Sequence, residues 1–200
     1  MEGTLQYMPR PPRFETPLLL DAAVRLAATA GPSGVTMSAV AKRTGAPSGS
    51  VYHRFPNRTA LLAEVWLRTT ERFQERYHAA LTGEDDPRRA GRAAARQVVA
   101  WCRAHPDEAA LLLHGAEEFG RADWPDEYVH RADEGNRRVL GTLTALAKSL
   151  GEDTPQAVER VTLALVDLPV SLVRRHYRAG EVLPPHAEDL AEECAAALLG

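Results

Sequence analysis

Apolar residues recur at helical spacing along nearly the whole chain, and no stretch alternates apolar and polar residues as a strand would. Leu19, Ala22, Ala23, Leu26, Ala27 and Ala30 predict a first helix from Thr16 or Pro17 to Ala30, which Gly31-Pro32-Ser33-Gly34 ends. Leu62, Val65, Trp66, Thr69, Phe73 and Tyr77 form one stripe of a helix capped by Asn57 and running to about Ala80. At about 23 residues it would span roughly 35 Å, more than a small head needs, so it projects into a second domain. Further helices are predicted from Pro87 to Arg103, from His105-Pro106-Asp107-Glu108 through Leu111, Leu112 and Leu113 to Phe119, and from Asp126 to Leu150. Two more run from Thr154-Pro155 to about Arg178 and from Pro185 to Leu199. The pattern is all-α, without an internal repeat.

The helix from Thr154 to Arg178 carries two apolar stripes. One is Val158, Val161, Leu165, Leu168 and Leu172, and the other is Leu163, Val166, Val170, Val173 and Tyr177. A helix apolar on two sides must be covered on two sides. With small residues on the last helix, this predicts a homodimer through the last two helices. Pro169 within that helix frees a carbonyl and bends the axis, which predicts a pocket nearby.

The stretch from Val35 to Leu62 reads as two short helices joined by a tight turn, a helix-turn-helix. Gly45 stops the first helix, Pro47 opens the second and Pro56 ends it near Phe55. Val51 and Phe55 share an inward face, leaving Ser48, Gly49, Ser50, Tyr52, His53 and Arg54 outward. Such a surface of small, hydroxylated and basic groups suits a major groove. Thr36, Tyr52, His53 and Arg58 are suited to phosphate oxygens, Ser48, Ser50 and Arg54 to base edges, and Gly49 to close backbone approach.

At Thr36, Gly45, Gly49, Tyr52, Phe55 and Arg58 this stretch resembles the DNA-binding domain of the TetR family of transcriptional repressors. The likeness spans roughly Leu19 to Trp66. Pro47 stands where the family has a capping Ser, and Arg58 where Lys is more common. The resemblance implies an N-terminal three-helix helix-turn-helix domain over residues 14–60 and a C-terminal helical ligand-binding and dimerisation domain over 61–200. Its partners would be a palindromic double-stranded DNA operator and a small-molecule inducer bound among the inner helices. Trp101, His114, Phe119, Trp124, Tyr128, Arg175 and Tyr177 are the candidate pocket residues, as aromatic or polar groups near apolar helices.

Charge agrees with that division. The net charge of −3 argues against nucleic acid when taken over the whole chain. Yet residues 1–60 hold seven Lys and Arg against three Asp and Glu, and the rest hold seventeen against twenty-four, a basic head on an acidic body. Residues 1–13 contain three prolines and read as a flexible arm whose Arg10 and Arg13 could reach a minor groove. No apolar run approaches a membrane span and the N-terminus lacks a signal-peptide core, so a cytoplasmic protein is expected. The seven His and two Cys follow no metal-ligand spacing, and there is no GxSxG, P-loop or dinucleotide fingerprint. Neither a cofactor nor an enzyme is expected. The alternative is an all-helical enzyme or interaction protein with a structural helix-turn-helix.

Overall fold

The computed structural model describes residues 15–200; the arm expected over 1–13, with Arg10 and Arg13, lies outside the described residues. Every regular element among them is helical. Helix α1 (Thr16–Ala30) buries Leu19, Leu20, Ala23 and Ala27. Helices α2 (Met37–Thr44) and α3 (Ser48–Arg54) form the helix-turn-helix. Thr36 caps α2, its side chain accepting the Ala39 N–H at 3.1 Å. Gly45 closes α2 at a φ of 67°, and the Ala46 N–H returns to the Ala41 carbonyl at 3.0 Å, a turn in which a Cβ would be strained. Val35, Val40, Val51 and Phe55 pack with α1 into the head's core.

Helix α4 (Arg58–Thr82) begins on Asn57, whose side chain accepts the Ala60 N–H at 2.8 Å. Its early residues Leu61, Leu62, Val65 and Leu67 belong to the head's core, and its later Tyr77 and Leu81 to the body's. Head and body are thus joined within one helix, and a boundary at 60/61 falls in its first turn. The body is built from α5 (Pro87–Ala104), α6 (Pro106–His114), α7 (Asp126–Ser149), α8 (Pro155–Thr162), α9 (Leu168–Ala179) and α10 (Ala187–Leu199). α10 crosses α5 closely: a Cβ on Gly91 would lie 2.5 Å from Leu199. Arg92 and Arg103 of α5 pair with Glu192 and Glu188 of α10.

Two sequence expectations change. The helix expected to reach Phe119 stops at His114, because Gly115 turns the chain at a φ of 82°. Phe119 is then carried by a turn, in which its N–H reaches the Ala116 carbonyl, to a fully buried place in the head's core. The helix expected to run unbroken from Thr154 to Arg178 contains a π-helical turn, Leu163–Asp167, between α8 and α9. The cause is Pro169: it has no N–H to give the Leu165 carbonyl, and the Leu168 N–H reaches back to Leu163 instead. The extra residue shifts the helix's register, so the inward face changes stripe. Val161 of the first stripe is buried before the turn and Leu165 within it, and Val173 of the second stripe after it. Leu163 and Leu168, one from each stripe, are left exposed. None of the described helices is long and apolar enough to cross a membrane.

Candidate nucleic-acid interface and ligand cavity

The outward side of α3 presents Ser48, Gly49, Tyr52 and His53, all exposed. Tyr52 is 57% accessible. A Cβ built on Gly49 would meet nothing within 4 Å, so no contact among the described residues requires a glycine there. α3 has no side-chain cap; Pro47 offers only its carbonyl, to Ser50 N–H at 2.9 Å. Three of the expected contact residues also work within the head: Thr36, which caps α2, and two arginines. Arg58 donates through Nε to the Val35 carbonyl and through Nη2 to the Pro32 carbonyl, both at 2.7 Å, pinning the loop before α2 to the start of α4. Two of the guanidinium's five N–H donors are used there, which leaves others for a phosphate. Arg54 donates to the Thr16 hydroxyl at 2.9 Å, turning from the outward side of α3 toward the start of α1.

The body holds a cavity of about 400 Å³ bordered by α4, α5, α6, α7 and the α8–α9 helix. Trp66, Phe73 and Tyr77 line it from α4, Leu112 and Leu113 from α6, and Val166, Val170 and Val173 from the far side. Pro169 stands among those last residues, as the sequence predicts. The Leu165 carbonyl that it frees accepts the Tyr77 hydroxyl at 3.4 Å, so this wall of the cavity is tied to α4. Among the described residues no Asp, Glu, Lys, Arg or His lines the space. Its two weak acids stay neutral: burial pushes the Tyr77 hydroxyl further up and the Cys102 thiol up to about 12. A wider cleft of about 560 Å³ between α4 and α7 is charged instead, with Arg68, Arg72 and Arg131 paired to Asp21, Glu108 and Glu64.

Residues 19–65, which hold α1 to α3 and the first turns of α4, match the family model described as bacterial regulatory proteins, tetR family. Solved structures with the same fold extend over nearly the whole chain. The fatty acid degradation regulator FadR from Bacillus halodurans is 17% identical with a TM-score of 0.71, covering 96% of this chain and 97% of its own. The transcriptional regulator FadR from Bacillus subtilis, in complex with stearoyl-CoA, is 15% identical with a TM-score of 0.73, covering 93% and 98%. A TetR-like transcriptional regulator from Rhodococcus sp. RHA1 is 24% identical with a TM-score of 0.68, covering 94% and 96%. Residues 19–65 thus carry a tetR-family domain, and the whole chain shares the fold of these regulators. No curated protein matches it in sequence.

None of the seven residues expected around a ligand lines the apolar cavity. Trp101 is buried behind it, with Phe73 against its ring edge at 5.2 Å. Phe119 and Trp124 lie in the head's core, where the Trp124 indole N–H donates to the Phe119 carbonyl at 3.0 Å, and Tyr128 packs against the same cluster. His114 pairs with Glu118 at 2.8 Å, Arg175 contacts His176, and Tyr177 is exposed. The residues that do line the space are mostly aliphatic and come from five stretches of the chain. In the sequence they are indistinguishable from ordinary core stripes. The one local signal was Pro169.

Proposed function

We propose that the protein is a ligand-responsive transcriptional repressor that binds a near-palindromic DNA operator as a homodimer. DNA contact is assigned to α3 and its flanks: Tyr52, His53, Thr36 and Arg58 toward phosphates, Ser48 and Ser50 toward bases, and Arg54 toward bases once released from the Thr16 hydroxyl, with Gly49 letting the helix approach the groove. The bare, exposed backbone at Gly49 supports this, since none of the described residues packs against it. The dimer is assigned to the last two helices. The exposure of Leu163 and Leu168, and of Leu190 on α10, is the support.

The observation that carries ligand control is the double membership of Trp66. It packs in the head's core beside Trp124, at 5.6 Å between rings, and it also lines the cavity. Helix α6 is shared in the same way, with Leu111 in the head's core and Leu112 and Leu113 on the cavity. A largely apolar ligand that binds best to one setting of α4 and α6 therefore biases the position of the head, by its differential affinity and no more. The stearoyl-CoA held by FadR from Bacillus subtilis supports an apolar chain as one form such a ligand can take. The test is selection of binding sites from random duplex DNA by the purified protein. Inverted half-sites separated by about one helical turn, roughly 34 Å, are expected. Recovery of no preferred sequence would overturn the proposal.

A further inference from the structure

The apolar cavity opens to solvent along α7. Asn136 and Leu140, one turn apart on that helix, both line it and both are exposed. Opposite them stands Gln74 of α4, half-buried, which lines the cavity and the charged cleft alike. Elsewhere on the walls the hydroxyl protons are already committed: Thr70 donates to the Trp66 carbonyl at 3.0 Å, Thr162 to the Val158 carbonyl at 2.8 Å and Tyr77 to the Leu165 carbonyl at 3.4 Å. The mouth is different. Gln74 Nε2 donates to Asn136 Oδ1 at 3.5 Å, the long limit of a hydrogen bond. Among the described residues Gln74 Oε1 and Asn136 Nδ2 make no other bond, so both are left to water. Gly135 makes room for this pair, since a Cβ there would lie 2.6 Å from Gln74 Oε1. A residue that weakens a helix interior thus stands where the Gln74 amide lies against α7.

We propose that the regulatory ligand is an amphipath with an apolar body and an uncharged, hydrogen-bonding head such as an amide, and that Gln74 and Asn136 hold the head at the cavity mouth. This rests on the reading of the cavity as the effector site. Apolar walls supply affinity without direction, whereas the two side-chain amides offer donors and acceptors together and so fix which end of the ligand points outward. Their weak mutual contact and their hydration are exchanged for bonds to the head, so little is lost when the ligand enters. A charged head is disfavoured. No charge lines the cavity, and the adjoining cleft presents Arg138 together with Glu75 and Glu134, which are of both signs. A head held between Gln74 and Asn136 also sets the spacing of α7 from α4, the helix that begins in the head's core.

The test titrates three probes calorimetrically into the full-length protein at neutral pH: 3-phenylpropanamide, 3-phenylpropanoate and propylbenzene, which share a phenyl ring and a three-carbon chain and differ in the head. The amide is expected to bind about tenfold more tightly than the carboxylate. In the double variant Gln74→Leu, Asn136→Leu, the ratio of amide to propylbenzene affinity is expected to fall about tenfold, the effect of losing the head's hydrogen bonds. Val170→Trp, which fills the cavity from α9, should abolish binding of the amide and of propylbenzene while leaving the helical circular dichroism intact. An unchanged ratio in the double variant overturns the assignment of Gln74 and Asn136 and leaves the apolar site standing. Tighter binding of the carboxylate than of the amide to the wild-type protein overturns the uncharged head. Propylbenzene binding that survives Val170→Trp overturns the site itself.

Discussion

At Gly49 the backbone of α3 is exposed, and a methyl group there would meet nothing within 4 Å. Gly49→Ala is therefore expected to stabilise the free protein by up to about 1 kcal/mol in urea unfolding, through helix propensity. The same substitution should weaken operator binding, because its methyl group stands where the backbone would approach DNA. Equal operator affinity would remove α3's outward face from the interface. Arg58 behaves differently. Its two hydrogen bonds to the Val35 and Pro32 carbonyls hold the loop before α2, so Arg58→Ala should cost about 1–3 kcal/mol and lower affinity for all DNA sequences alike. Cys102 provides a pH dependence. Burial raises its thiol from 9.0 to about 12, so the folded state keeps a proton that the unfolded chain releases, and stability falls as pH rises between those values. Cys102→Ala should flatten part of that alkaline loss, measured by urea unfolding at several pH values. Asn57 was legible at this scale, capping α4 as its position before an apolar stripe predicts, whereas Thr36, expected at phosphates, also caps α2. The partner of Arg58 was not, because it depends on where a loop far back in sequence comes to rest.

Among the elements, α8, the π-helical turn and α9 depart most from their sequence pattern. Both apolar stripes are real, but the π turn exchanges which of them faces inward, and only Pro169 signals it. Pro169→Ala would return an N–H to the Leu165 carbonyl and allow a regular α-helix, turning the later residues Val170 and Val173 relative to the cavity. The expected result is altered ligand affinity, read by calorimetry, with the fold retained. An unchanged affinity would show that the π turn does not shape the cavity. The opposite tie is removed by Tyr77→Phe, which leaves that carbonyl unpaired and should cost about 1 kcal/mol. Helices α1 to α5 and α7 follow periodicity and end within a few residues of expectation, since Pro, Gly and capping residues mark their limits. α6 ended early because Gly115 turns the chain before Phe119, although Phe119 continues the apolar pattern.

For the whole molecule, the proposed function depends on two places that the chain keeps apart and α4 and α6 join. The helix-turn-helix was legible because its chemistry is local, a few side chains on one short helix. The cavity was not, because its walls are ordinary core residues drawn together from distant stretches, and aromatic residues that looked suited to a ligand went into the core or onto the surface instead. If the last two helices pair two copies, light scattering should give twice the 21.9 kDa chain mass at micromolar concentration; a single-chain mass would contradict the dimer. The coupling itself is tested by fluorescence anisotropy of a labelled, selected operator titrated with protein, with and without a saturating apolar ligand, in the wild type and in Val170→Trp. Ligand is expected to weaken wild-type binding about a hundredfold, a coupling of about 2.7 kcal/mol, with the same factor lost from ligand affinity when DNA is bound, and to leave the filled variant unaffected. Operator affinity that does not change while the cavity is saturated would contradict control from this site.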